Sequence, residues 1–295
     1  NHCSYKRAYQ QTIHVLTYFN QGDRTNNRCQ DNHNMENPKT KRILIFGCSK
    51  AGKTSMLNTI TGQKLKVSDA AVGTTFETKS FADFEYNGKI YQFIDTAGLD
   101  EGDEGTVSSG TAIKNLIKFI KNEGEKGFNL FVMVMAKGVI SQAIEKNYEL
   151  FINCMKVKEI PTLCVVTRCE NDDPLSKWVD ENKKYFEDHY KMEFNDMIGS
   201  CFAQERGGRL ADVYKELCGE SKKDVMKAIE RTCSVKPYSI IHEGGFLYTI
   251  KMIWNFFAYA MKLPKWLNGR LYDFLKAMGV DDGEAIGLAT EVKEE

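Results

Sequence analysis

Residues 47–54 read Gly-Cys-Ser-Lys-Ala-Gly-Lys-Thr, which is a complete G-x-x-x-x-G-K-T phosphate-binding pattern. The apolar run before it, 41–46 (Lys-Arg-Ile-Leu-Ile-Phe), is typical of a buried parallel strand, and an apolar-periodic helix begins directly after it. The pattern requires this order of strand, glycine loop and helix, whereas the alternative is an ordinary glycine turn between a strand and a helix. The sequence therefore predicts an α/β P-loop NTPase fold with a phosphate site at this turn.

Each position of the loop has a predicted part in binding a phosphate. Gly47 and Gly52 let backbone N–H groups turn toward phosphate oxygens, and the helix N-terminus adds a favourable dipole. Lys53 would reach the β- and γ-phosphates, and the Thr54 hydroxyl would bind Mg²⁺. The predicted nucleotide contacts in this segment are Gly47, Ser49, Lys50, Ala51, Gly52, Lys53, Thr54 and Ser55.

The composition is that of an ordinary globular protein. Of 295 residues, 42% are apolar and 27% are charged, and the net charge of zero gives no reason to expect a nucleic-acid partner. Nine cysteines are scattered without a C-x-x-C pair, which favours reduced thiols over a disulfide framework or a zinc site. We therefore expect a cytoplasmic protein, either free or at the cytosolic face of a membrane.

The order of elements along the chain predicts one large domain with an appendage at each end. Residues 1–39 should form a polar N-terminal appendage that is largely a disordered linker, because 21–37 is rich in Asn, Gln, Asp and Arg. From residue 40, strands and helices alternate, which predicts a doubly wound and mostly parallel sheet, and Asn87-Gly88 predicts one antiparallel edge hairpin. The predicted strands are 42–47, 80–86, 89–95, 128–135, 161–167 and 197–202, and the predicted helices are 53–61, 110–122, 140–155, 173–190, 207–218 and 221–233.

Two segments have the composition of nucleotide-sensing loops. An aspartate that ends a strand beside a phosphate loop, as in 95–98 (Asp-Thr-Ala-Gly), can hold Mg²⁺ through water, and the Gly98 N–H can contact a γ-phosphate. The alternative is that 95–98 is only a capped turn. Thr74 and Thr75 both qualify as the threonine that binds Mg²⁺ and touches the γ-phosphate. The predicted metal ligands are Thr54, Thr75 and Asp95, with Thr74 as the alternative to Thr75.

A candidate base-recognition segment, 167–170 (Thr-Arg-Cys-Glu), follows the predicted strand 161–167 at the end where ligands bind in such sheets. The Glu170 carboxylate would accept hydrogen bonds from N1–H and the exocyclic amine of guanine, and Arg168 would stack on the base. Adenine lacks that pair of donors. The alternatives are a solvated loop with no base contact, and an ATPase that uses the same phosphate loop.

Together these segments resemble the AIG1-type guanine-nucleotide-binding family, which includes the immunity-associated GTPases. The likeness covers roughly residues 41–233 and rests on the phosphate loop, on 95–99 (Asp-Thr-Ala-Gly-Leu) and on 167–170, which is similar to that family's Thr-Arg-Lys-Asp/Glu. The apolar strand at 127–134 is also similar. Departures are Cys169 in place of a basic residue, 137–140 in place of Gly-Arg-Phe-Thr, and 201–204 (Cys-Phe-Ala-Gln) in place of Phe-Asn-Asn, which leaves Gln204 as the candidate base contact there.

The resemblance implies an AIG1-type G domain at 40–235 that binds GTP or GDP with Mg²⁺. It also implies a homodimer or oligomer formed through the nucleotide face, and membrane attachment through a C-terminal extension. Leu99 stands where Ras-like enzymes have a water-orienting Gln, so we expect slow GTP hydrolysis. A GTP-gated scaffold with negligible hydrolysis is the alternative.

Residues 236–295 should form an apolar, amphipathic helical extension. The stretch 244–261 is strongly apolar and aromatic, and its length only just reaches that of a spanning helix. Lys251 near its middle makes spanning costly. A second amphipathic segment follows, so 244–278 is a candidate membrane surface. Three interpretations remain open: docking on the domain, a membrane anchor and a protein-binding surface.

Overall fold

The structure is a computed structural model that describes residues 40–63, 78–80, 83–96, 107–203, 208 and 210–260, together with positions 272, 276, 283 and 286. The chain divides into two units, Asn1–Asn37 and Pro38–Glu295. All described residues lie in the second unit. The predicted N-terminal appendage, 1–39, lies outside them.

Within the described residues, seven strands form one mixed sheet in the order β2-β4-β1-β5-β6-β7, with β3 also paired to β4. The strands are β1 (Lys41–Phe46), β2 (Thr78–Ser80), β3 (Phe84–Tyr86), β4 (Lys89–Thr96), β5 (Leu130–Ala136), β6 (Thr162–Thr167) and β7 (Asp196–Gly199). Strands β1, β4, β5, β6 and β7 run parallel, whereas β2 and β3 are antiparallel to β4. The predicted α/β, mostly parallel sheet with one antiparallel edge is confirmed.

The antiparallel edge begins at the predicted hairpin turn. Asn87 and Gly88 have φ values of 50° and 72°, which is the geometry that a type I′ turn requires, and Tyr86 pairs with Lys89 across it. The predicted strand 80–86 is found as two shorter strands, β2 and β3. Both lie on the edge of β4 opposite β1.

Six helices are described: α1 (Lys53–Thr61), α2 (Val107–Glu123), α3 (Gln142–Tyr148), α4 (Lys177–Tyr185), α5 (Ala211–Thr232) and α6 (Gly245–Ala260). α3 continues as a π-helical stretch, Glu149–Met155, and α4 as another, Phe186–Tyr190. These pairs correspond to the predicted helices 140–155 and 173–190 but begin later, at Gln142 and Lys177.

Two further predicted boundaries are wrong. The helices 207–218 and 221–233 are one continuous helix, α5. Gly219 costs roughly 1 kcal/mol inside a helix, but Cys218 and Ser221 on either side of it are buried, so packing offsets that cost. The strand predicted to reach residue 202 ends at Gly199, because the Cys201 N–H leaves the sheet and donates to the Ser221 hydroxyl of α5 at 2.8 Å.

The apolar strands are buried on both faces of the sheet. Ile43 and Ile45 of β1 face a core shared with α1 and α5, and their neighbours Leu44 and Phe46 face a second core shared with α2 and α3. This alternation follows from the twofold period of a strand. It explains why β1 reads as a continuous apolar run, since each face is covered by helices.

The described part of the C-terminal extension docks on the domain. α6 packs against α2 and the π-helical stretch Glu149–Met155, and it buries Ile250, Ile253 and Trp254 in the second core. Just before α6, Phe128 and Tyr238 exchange two backbone hydrogen bonds of 2.9 Å. No helix within the described residues is long and apolar enough to cross a membrane.

Candidate nucleotide-binding site

The carboxyl ends of the parallel strands meet at one edge of the sheet. The phosphate loop follows β1 there, the segment 167–170 follows β6, and Ser200 follows β7. β4 and β5 lie on opposite sides of β1, so the phosphate loop stands where the order of strands reverses. This is the place at which open α/β sheets bind their ligands.

The two glycines of the phosphate loop are required by its backbone. Gly47 has a φ of 140°, and a Cβ added there would collide with the carbonyl oxygen of Val134 on β5. Gly52 has a φ of 94° and is the N-cap of α1. The chain can therefore turn sharply above β5 and lead into α1, whose first N–H groups have no partners within the helix and can bind an anion.

Lys53 is buried within its own loop. The residue is 8% exposed, and its Nζ donates to the carbonyl oxygens of Gly47 at 2.7 Å and Cys48 at 2.9 Å. These bonds hold the ammonium at the loop, where it can meet a bound phosphate. Of the remaining predicted loop residues, Ser49 and Lys50 are exposed, Ala51 is buried, and Thr54 and Ser55 are half-buried.

Two of the predicted Mg²⁺ ligands, Thr54 and Asp95, lie within the described residues. Thr54 is in the first turn of α1, and Asp95 pairs in register with Ile45 on β1, close to the start of the loop. Their oxygen atoms suit Mg²⁺, which usually takes one or two carboxylates and completes its shell with phosphates and water. Within the described residues, no group of three or more His, Cys, Asp or Glu side chains could hold a metal ion.

Side-chain hydrogen bonds tie the candidate base-recognition segment, 167–170, to the phosphate loop. Thr167 Oγ1 donates to the Ala51 carbonyl oxygen at 2.7 Å, and Arg168 Nη2 donates to that of Lys50 at 2.8 Å. Arg168 has a φ of 65°, so the chain turns immediately after β6. Sequence reasoning placed both segments at the same edge of the sheet but did not foresee this direct link.

Glu170 is half-buried in a turn that hydrogen bonds hold in place. The Cys169 N–H donates to the Ser200 carbonyl oxygen at 3.1 Å, and the Asp172 N–H donates to that of Cys169 at 2.9 Å. Lys137 Nζ donates to both carboxylate oxygens of Asp172, at 2.6 and 2.8 Å, and these bonds raise the pKa of Lys137. Burial raises the pKa of the Cys169 thiol to about 11, so that thiol stays neutral at physiological pH. Sequence reasoning missed the pair of Lys137 and Asp172, because 137–140 departs from the family's Gly-Arg-Phe-Thr and Asp172 belongs to no motif.

Four predicted site residues lie outside the part of the chain that the structure describes. They are Thr74, Thr75, Gly98 and Gln204, and Leu99 lies outside it as well. Their proposed contacts with Mg²⁺, the γ-phosphate and the base stay predictions.

Comparison with known proteins identifies relatives of this domain. The family model described as 50S ribosome-binding GTPase matches residues 42–168. GTPase Der of Thermosipho melanesiensis is 27% identical over 188 residues, which cover 64% of this chain and 39% of Der. GTPase Der of Maridesulfovibrio salexigens is 41% identical over 64 residues, covering 22% of this chain and 14% of Der. The matches thus span well under half of these relatives' length.

Solved structures of similar fold include Toc33 from Arabidopsis thaliana in complex with Mg²⁺ and GMPPNP. It has a TM-score of 0.45 and 18% identity, covering 66% of this chain and 88% of Toc33. Era from Aquifex aeolicus has a TM-score of 0.42 and 16% identity, covering 61% of this chain and 56% of Era.

The family match extends from β1 through the phosphate loop to Arg168 at the end of β6. It does not single out the AIG1 type among GTPases, so that narrower assignment stays a prediction. Residues 42–168 therefore combine a match to a GTPase family model with the sheet order and phosphate loop of a P-loop fold.

Proposed function

We propose that this protein is a guanine-nucleotide switch that binds GTP with Mg²⁺ and hydrolyses it slowly. The observation that carries the proposal is the pair of hydrogen bonds from Thr167 and Arg168 to the phosphate loop. They hold 47–54 and 167–170 together, so a nucleotide held by its phosphates would meet 167–170 with its base. There the Glu170 carboxylate would accept from the N1–H and the exocyclic amine, which favours guanine over adenine. This contact distinguishes the switch from the rival ATPase.

Slow hydrolysis is proposed from one position in the sequence. An apolar Leu99 cannot orient the attacking water in the way that a Gln does at the corresponding place in Ras-like enzymes. We further propose that a second copy of the chain, docked across the nucleotide face, supplies the missing catalytic group. If no group is supplied, the protein is a GTP-gated scaffold instead.

The test is phosphate release by the full chain supplied with GTP or ATP, with Mg²⁺ or with EDTA. We expect release from GTP only, dependent on Mg²⁺, at below about 10⁻² s⁻¹, the range of GTPases without a stimulating partner. Equal release from ATP would contradict the guanine assignment. Tight GTP binding without phosphate release would favour the scaffold.

A further inference from the structure

One lysine is bonded to both ends of the turn that carries Glu170. The backbone N–H of Lys137, directly after β5, donates to the carbonyl oxygen of Thr167 at 2.9 Å. Its Nζ donates to both oxygens of Asp172, at 2.6 and 2.8 Å. The two side chains of this ion pair are 26% and 12% exposed, so the pair is largely shielded from water.

Backbone hydrogen bonds also hold the turn between these two points. The Asp172 N–H closes it onto the Cys169 carbonyl oxygen, and the Cys169 N–H ties it to Ser200 after β7. Glu170 sits between these bonds. If Lys137 lost its ammonium, the shielded Asp172 carboxylate would have to find water or another donor. The turn would then shift, and Glu170 would shift with it.

We propose that Lys137 and Asp172 are positioning residues for guanine recognition, which hold the turn 169–172 so that the Glu170 carboxylate faces the base. This rests on the proposed function, which supplies the guanine. Both carboxylate oxygens of Asp172 accept hydrogen bonds from Lys137, so they are already engaged within the turn. In this arrangement, Asp172 supports the turn and Glu170 makes the contact with the base.

A misplaced Glu170 has a specific signature. The carboxylate makes two hydrogen bonds to guanine but only one to hypoxanthine, which lacks the exocyclic amine. The ratio of the affinities for GDP and IDP therefore reports the placement of Glu170, whereas the phosphate contacts are common to both nucleotides. A general loss of stability would weaken both nucleotides equally.

The experiment is calorimetric titration of the full chain with GDP and with IDP. Lys137→Ala and Asp172→Asn should each weaken GDP binding about tenfold and IDP binding by less than about threefold, the scale of one charge-assisted hydrogen bond lost. The double variant should be no worse than either single variant, because the two residues act as one pair. Lys137→Arg should retain most of the preference for GDP.

Lys227→Ala is the matched control, because it removes an exposed ion pair with Asp224 on α5, and it should leave both affinities unchanged. Equal losses for GDP and IDP, or unchanged GDP binding in Lys137→Ala, would overturn the proposal. Should Lys137→Ala fail to fold, the nearly isosteric Asp172→Asn decides the question. A wild-type chain that binds ADP as tightly as GDP would instead contradict the proposed function itself.

Discussion

At the scale of single residues, we expect phosphate binding by the loop to depend most on Lys53. Its ammonium is held by the carbonyl oxygens of Gly47 and Cys48, and its removal takes away the cation that would face the β- and γ-phosphates. Lys53→Ala should therefore weaken GTP binding about a hundredfold or more, measured with a fluorescent GTP analogue. Unchanged affinity in this variant would contradict the assignment of the loop.

In the proposed function, the choice of base depends on Glu170. Glu170→Ala should cost about 2–3 kcal/mol of GDP binding, the scale of a charge-assisted pair of hydrogen bonds left unmade. Weak ADP binding should not change. Glu181→Ala, which removes an exposed carboxylate from α4, is the control in the same titration. If Glu170→Ala binds GDP as well as the control does, another residue recognises the base.

A comparison of Gly47 and Gly138 separates two reasons why a position requires glycine: a positive φ and a lack of room for a Cβ. Both have a φ of 140°, but a Cβ at Gly47 would collide with Val134, whereas a Cβ at Gly138 would meet nothing within 4 Å. Gly47→Ala should therefore lower the free energy of unfolding by about 2 kcal/mol more than Gly138→Ala, as measured in urea. Equal effects of the two substitutions would mean that backbone strain alone explains the requirement for glycine.

At the scale of elements, the docking of α6 should contribute to the stability of the domain. Ile253 is fully buried against the second core, so Ile253→Ala should lower the free energy of unfolding by about 2–4 kcal/mol. Val235→Ala, at a side chain that is 87% exposed, should change it little. A negligible effect of Ile253→Ala would indicate that α6 leaves the domain in solution, as a membrane anchor would.

His242, in the segment just before α6, should make the stability of the fold depend on pH. Burial lowers the pKa of His242, whose Nε2 lies 3.1 Å from the Cys154 carbonyl oxygen. Because the folded pKa is lower than the unfolded pKa of about 6.5, the unfolded chain binds more protons, and stability falls as the pH drops below that value. Thermal melts of wild type between pH 7.5 and 5.5 should show this fall. The fall should be smaller in His242→Asn, and an identical pH dependence of the two would contradict the role of His242.

The sequence predicted the elements whose causes are local. The type I′ turn at Asn87-Gly88 and the strand-loop-helix context of 47–54 both follow from backbone preferences of a few residues. The continuity of α5 through Gly219 did not, because it depends on burial against other elements. The docking of α6 could not be predicted from the sequence, because the same apolar surface would suit a protein core, a membrane or a protein partner. The ion pair of Lys137 and Asp172 could not be predicted either, because the two residues are far apart in sequence and share no motif.

At the scale of the whole molecule, we expect assembly to follow the bound nucleotide. GTP would order the loops around Thr74, Thr75 and Gly98, and GDP would release them, because a ligand shifts a population only through contacts that differ between states. A non-hydrolysable GTP analogue should therefore produce dimers in sedimentation, and GDP should not. Specific activity should rise with protein concentration over a hundredfold dilution series. The range of concentrations is chosen to span the dissociation constants typical of protein dimers. Monomers in every nucleotide state, with a flat rate, would contradict this expectation.

The central claim is that the phosphate loop and 167–170 form one site for a guanine nucleotide. Competition between nucleotides tests it most directly: a fluorescent GDP analogue is bound to the full chain and then displaced by GDP or by ADP. A site built to hydrogen-bond the guanine edge should require at least about a hundredfold more ADP than GDP for equal displacement. Displacement by ADP at the same concentration as GDP would contradict the claim.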